Sequence, residues 1–244
     1  MDILNSFILT FLSGFATLLG FFVIFLPNKY KNKIINGSLS FASGVMVTIS
    51  IFDLIPESYN LLIYNDFNFK LLLITIFIVI GVCFSIILDR VVPNNNFLYK
   101  IGMVSLFSII MHNIPEGIIT FITANNNPNL GIKLAVAIAL HNIPEGISIA
   151  VPLYYSTKNK EKVFTLLLIS AFSEPLGALL GLVLSKYITM NILGLIYAFI
   201  VGLMLYISIY EILPTTLKYK KYLFSLIFFI IGIVVMITSF SLLE

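Results

Sequence analysis

Charge is what this 244-residue sequence has least of: acidic and basic side chains make up 10% of it, against 59% hydrophobic residues and a mean hydropathy of +1.07. That balance excludes a soluble domain, which needs a polar surface, and leaves a polytopic, all-α integral membrane protein. A single cysteine, Cys83, excludes an internal disulfide and says nothing of redox compartment. Lying in an apolar stretch, it is expected to be a small core hydrophobe. No basic segment precedes the first apolar stretch and no small-residue cleavage site follows it, so that stretch reads as a permanent helix rather than a signal peptide. The spacing H-E-x-x-H, by which a helix holds a hydrolytic metal beside its own base, is also missing.

What is present is apolar sequence in windows long enough to cross a bilayer, about 20 residues each. Eight candidate spans follow, at roughly 5–26, 34–57, 70–90, 99–123, 131–153, 162–184, 190–213 and 220–243, and little chain is left between them. Residues 1–244 therefore read as one transmembrane domain. Basic residues collect on the cytoplasmic side of short loops. Lys29, Lys31 and Lys33 follow span 1, Arg90 and Lys100 lie between spans 3 and 4, Lys158, Lys160 and Lys162 between spans 5 and 6, and Lys218, Lys220 and Lys221 between spans 7 and 8. Only Lys70, Lys133 and Lys186 of the 14 basic residues fall on the other side, so both termini are expected outside the cytoplasm. The net charge of +3 thus reports topology rather than nucleic-acid binding. Tyr30, Tyr99, Tyr154, Tyr155, Tyr187, Tyr219 and Tyr222 near span ends fit an interfacial aromatic belt.

Histidine is equally scarce, and its placement is the most informative feature of the chain. Both histidines sit in one hexamer written twice, His112-Asn113-Ile114-Pro115-Glu116-Gly117 and His141-Asn142-Ile143-Pro144-Glu145-Gly146. The turn-forming Asn125-Asn126-Asn127-Pro128-Asn129 joins them, so spans 4 and 5 form an antiparallel hairpin. A second repeat is longer-range. Gly44, Met46, Ser50, Ile51, Asp53 and Pro56 of span 2 return at one fixed offset as Gly202, Met204, Ser208, Ile209, Glu211 and Pro214 of span 7. Residues 13–20 of span 1 more loosely match 173–181 of span 6. Three helices (5–90), a central pair (99–153) and three inverted helices (162–243) is the parsing these repeats favour, and inverted repeats around a polar site are a transporter signature.

On a helix, His112 and Glu116 are i and i+4, and Asn113 and Glu116 are i and i+3, so the three share one stripe; His141, Asn142 and Glu145 repeat the arrangement. Pro115 and Pro144 lack an amide hydrogen, which frees the carbonyls of Met111 and Leu140 beside each histidine. Together the stripes offer two imidazoles, two amide oxygens and two carboxylates, a set suited to one or two divalent transition metals. Glu174, also followed by a proline, falls at the same depth in span 6, and an isolated charge there costs roughly 2.5–3.5 kcal/mol on insertion scales. A shared dication would offset much of that. Met46 could add a thioether or simply pack. Asp53 and Glu57 at the outer end of span 2 and Glu211 at the cytoplasmic end of span 7 mark a route past the site, which Ser43, Ser50, Ser173 and Ser208 could hydrate. Asp89 and Arg90 read as an interfacial, snorkelling pair. Three other readings stand beside metal transport: polar glue between helices, a proton relay serving another substrate, and an intramembrane metal-dependent hydrolase.

The paired H-N-x-P-E-G motifs, Ser173-Glu174-Pro175-Leu176-Gly177 and the span 2 and span 7 patterns resemble the ZIP (Zrt/Irt-like, zinc–iron permease) metal transporters along the whole chain. The resemblance implies a non-enzymatic protein of the cell membrane with eight helices arranged 3+2+3 and both termini extracytoplasmic. It also implies import of Zn(II), and of Fe(II), Mn(II), Cd(II) or Co(II), into the cytosol, by a homodimer with no cofactor beyond the transported metal. By the same resemblance one metal would be held by His112, Glu116, His141 and Glu145 with Met46 nearby, and a second by Asn113, Glu116, Asn142, Glu145 and Glu174. Two departures are visible. The segment from Arg90 to Lys100 is short and has no histidine, and Tyr210-Glu211 stands where many members have His-Glu.

Overall fold

The computed structural model describes residues 2–93, 96–184 and 187–243; Lys186, one of the basic residues expected outside the cytoplasm, lies beyond these. Eight helices long and apolar enough to cross a membrane succeed one another: α1 Ile3–Phe25, α2 Asn28–Leu61, α3 Phe67–Val91, α4 Phe97–Asn126, α5 Pro128–Thr157, α6 Lys160–Leu184, α7 Met190–Leu217 and α8 Tyr222–Ser241. Most outrun their apolar windows, because polar residues at the ends keep the helical hydrogen bonding after hydrophobicity stops. The chain can reverse in so few residues because side chains cap the new helices. Asp66, Asn96, Asn127, Asn159 and Thr189 accept from backbone N–H groups one turn ahead, which otherwise lack partners.

Among the described residues, four helices depart from regular winding, each beside residues of interest. The second half of α1, Ala16–Phe25, is wound as a 3₁₀ helix, an unusually long run. α2 and α7 carry one wide π turn each, at Ser50–Leu54 and Ile207–Ile212. Both turns end just before a proline, Pro56 and Pro214, whose missing N–H takes a hydrogen bond out of the ladder and lets the preceding turn widen. α6 is interrupted at Phe172, between Lys160–Ala171 and Ser173–Leu184, one step ahead of Glu174-Pro175.

The helices fall into two packed groups. In one, α1, α4, α5 and α6 surround one another, with α4 against both α5 and α6 and α1 against α5; in the other, α2 packs on α8 and α3 on α7. α2 also touches α7, and the groups meet chiefly where α2 lies on α5. Small residues bring the backbones together inside the first group. A Cβ on Gly117 would collide with the Glu174 carbonyl, and one on Gly146 with the Thr17 carbonyl. Such contacts are what close helix packing in lipid relies on, since lipid removes the hydrophobic drive between helices.

One expectation fails at the surface. Cys83 is exposed rather than a core residue. In a bilayer the outward face is apolar too, so an apolar neighbourhood does not imply burial.

Candidate metal site

The doubled hexamers lie in the middle of α4 and α5, and the helical spacing does what the sequence requires of it. His112 Nε2 is 3.2 Å from Glu116 Oε1 one turn along and 3.4 Å from Glu145 Oε1 across the hairpin. His141 Nε2 donates a hydrogen bond of 3.0 Å to Glu116 Oε1, and the two imidazole centroids are 6.1 Å apart. One ligand atom each from His112, Glu116 and His141 can be chosen so that all lie within 4.8 Å of one another. Ligands bound 2.0–2.2 Å from a tetrahedral dication are roughly 3.4 Å apart. The spacings found are therefore close to those of a coordination sphere.

Burial makes the group costly without a cation. His112 and Glu145 are fully buried, and Glu116 and His141 are 3% and 2% exposed. Beyond these contacts, Oε2 of Glu145, Oε2 of Glu116, Nδ1 of both histidines and both polar side-chain atoms of Asn113 have no hydrogen-bond partner. Structural glue would satisfy its polar atoms; so many buried polar atoms left without a hydrogen bond disfavour that reading.

Glu174 stands slightly apart, in a network of its own. Ser13 Oγ on α1 donates to Glu174 Oε2 at 2.5 Å. Asn142 Nδ2 donates to Glu174 Oε1 and, at 2.9 Å, to the Ser13 carbonyl. Gly14 permits this approach, since a Cβ there would meet the Glu174 side chain at 2.8 Å. The hexamer amide Asn142 is thus an anchor for Glu174, while its Oδ1 has no partner.

A cavity of 710 Å³ reaches the site from the end of the molecule where α2 finishes and α5 begins; Asp53 and Glu57 line it, with Lys133, Tyr197, Glu116 and His141. Asp53 lies on the π turn of α2, and Glu211 on that of α7 at the opposite end, 9% exposed. Met46 is fully buried in the main apolar cluster. Ser43 and Ser208 meet, Ser43 Oγ donating to the Ser208 carbonyl at 3.0 Å, whereas the Ser50 and Ser173 hydroxyls are committed to carbonyls of their own helices. Asp89 does not pair with its neighbour Arg90. Its partner is Lys100 Nζ, 2.6 Å away on α4, because adjacent residues of a helix point in different directions.

Sequence reasoning missed Ser13, Lys100, Lys133 and Tyr197. Lys133 carried a signal, as one of the few basic residues against the charge bias; Ser13 carried a weaker one, in the loose match of span 1 to span 6.

The family model described as "ZIP Zinc transporter" matches residues 97–239. Relatives match over nearly the whole length. The zinc transporter ZupT of Chlorobaculum parvum is 33% identical, over 99% of this chain and 98% of its own. That of Lysinibacillus sphaericus is 33% identical over 99% and 98%, and that of Campylobacter jejuni 30% over 99% and 97%.

Proposed function

The chain belongs to the ZIP family of zinc transporters, and from that premise we propose that it imports Zn(II) into the cytosol through the buried site on α4 and α5. It is a transporter and not an enzyme. The observation that carries the reading is the His112–Glu116–His141 group with its unmet polar atoms, at the inner end of a cavity lined by acids.

A hydrated dication is drawn to Asp53 and Glu57 and gives up water for imidazole and carboxylate ligands. Two carboxylates neutralise its charge, which makes the exchange affordable in a low-dielectric interior. His112, Glu116, His141 and Glu145 hold the first ion in this reading, with Met46 on the neighbouring helix. A second ion takes Asn113, Asn142, Glu174 and the bridging glutamates, with Ser13 holding the Glu174 carboxylate in place. Glu211 receives the ion on its way out. Imidazole and carboxylate ligands also admit Fe(II), Mn(II), Cd(II) and Co(II), and two nitrogens disfavour Mg(II) and Ca(II).

The arrangement proposed is a single domain of three, two and three helices with inverted halves and both termini extracytoplasmic, in the cell membrane, working as a homodimer. Matching packing supports the inversion: α1 on α5 answers α6 on α4, and α2 on α8 answers α7 on α3. Zinc uptake by proteoliposomes tests the site. Glu116→Ala or Glu145→Ala should abolish uptake by the folded protein, and uptake equal to that of the unmutated chain would sink the assignment.

A further inference from the structure

At the end opposite the cavity, an ion pair lies beside Glu211. Lys100 Nζ lies 2.6 Å from Asp89 Oδ1, with side chains 14% and 18% exposed. Glu211 is within hydrogen-bonding reach of Asp89, and Lys100 and Lys218 are the cations that act on it. A tethered ammonium thus occupies the acidic pair that a departing dication would need.

The contact also joins the two helix groups. Lys100 is on α4, which carries half of the metal site, while Asp89 on α3 and Glu211 on α7 belong to the other group. From His112 toward Lys100, Ser108 and Ser105 continue the His112–Glu116 stripe at helical spacing. Both hydroxyls are buried and unpartnered. Polar atoms are therefore set along the way between the site and the ion pair, in a state where water does not reach them.

We propose that the Lys100–Asp89 ion pair is a latch that closes the path between the buried metal site and Glu211, and that metal leaves only when Lys100 gives up these carboxylates. The latch rests on the proposed route from the α4–α5 site to Glu211. It makes Lys100 a rate-determining residue for release. An ammonium and a dication compete for one acidic pair, so the arriving ion itself helps displace the lysine. Breaking one side of a largely buried pair leaves an uncompensated charge, which favours opening to water.

The test reads the barrier without transport. In a Cys83→Ser background, Ser108→Cys is exposed to a charged methanethiosulfonate reagent in the detergent-solubilised full chain. Adding Lys100→Gln should speed modification by about tenfold or more, since a pair 14% and 18% exposed lies between the exposed and the fully buried cases. The exchange Asp89→Lys with Lys100→Asp, which rebuilds the pair, should return the rate to the starting value. An unchanged rate in Lys100→Gln, or an exchange variant as reactive as Lys100→Gln, overturns the latch. Should Lys100→Gln not fold, Lys100→Met removes the same ammonium and must give a comparable acceleration. Failure of the transport reading would show separately, as zinc uptake surviving Glu116→Ala.

Discussion

Glu174 illustrates how much a single side chain depends on neighbours far away in sequence. Its carboxylate is fully buried and receives one hydrogen bond from Ser13 and one from Asn142. Hydrogen bonds to a charged group are worth about 1.5–3 kcal/mol, and losing one inside a protein costs more than losing it in water. Ser13→Ala should therefore leave Glu174 mispositioned rather than absent. The expected result is an increase of about tenfold in the zinc concentration for half-maximal uptake, with Ser13→Thr restoring most of it. An unaltered concentration dependence in Ser13→Ala would remove Ser13 from the site. Sequence alone could identify Glu174 by its depth, but not Ser13, because a serine in an apolar helix bonds just as readily to its own backbone. Thr10, Ser50 and Ser208 do so here.

At the scale of the helix, the doubled hexamer and the recurring span 2 pattern were legible because they are written in residue identity. The faces that the helices bury were not. Amphipathic periodicity distinguishes core from water, whereas in lipid both faces of α3 are apolar, and so Cys83 was misassigned. The two π turns were hidden for another reason: Ser-Ile-Phe-Asp-Leu-Ile-Pro (50–56) and Ser-Ile-Tyr-Glu-Ile-Leu-Pro (208–214) announce a proline, yet not how the preceding turn will accommodate it. Glycine contacts set how closely helices approach. Gly177 on α6 sits against the Ile114 carbonyl of α4, with no flexible side chain to give way, while Gly37 on α2 meets only the rings of Phe224 and Phe228 at 3.3 Å or more. Gly177→Ala should destabilise the protein by about 1–3 kcal/mol, the usual cost of overpacking. Thermal unfolding in detergent would reveal it as a lowered midpoint, with Gly37→Ala close to the parent; equal midpoints for the two would count against backbone contact as the constraint.

Taken as a whole molecule, the chain concentrates its chemistry in one place and its charge at the two ends. Imidazoles ligate metal only when deprotonated, so metal and proton compete for His112 and His141. Zinc uptake should fall as external pH drops, and raising the zinc concentration should recover it; a fall that zinc does not relieve would point to protons acting elsewhere. Span number and charge asymmetry could be read directly from composition, since bilayer thickness and the positive-inside bias act on single segments. The association of helices into two groups could not, because it depends on which small residues face each other across distant segments. That grouping has a consequence for evolution. Ser13, His112, Asn113, Glu116, His141, Asn142, Glu145 and Glu174 all belong to α1, α4, α5 and α6, whereas Asp53, Glu57, Asp89 and Glu211 belong to α2, α3 and α7. On the proposed function, all the ligands but Met46 lie in one half of the molecule and the acids of the path in the other, so mutation in the second half would retune how fast ions cross while leaving most of the choice of ion in place.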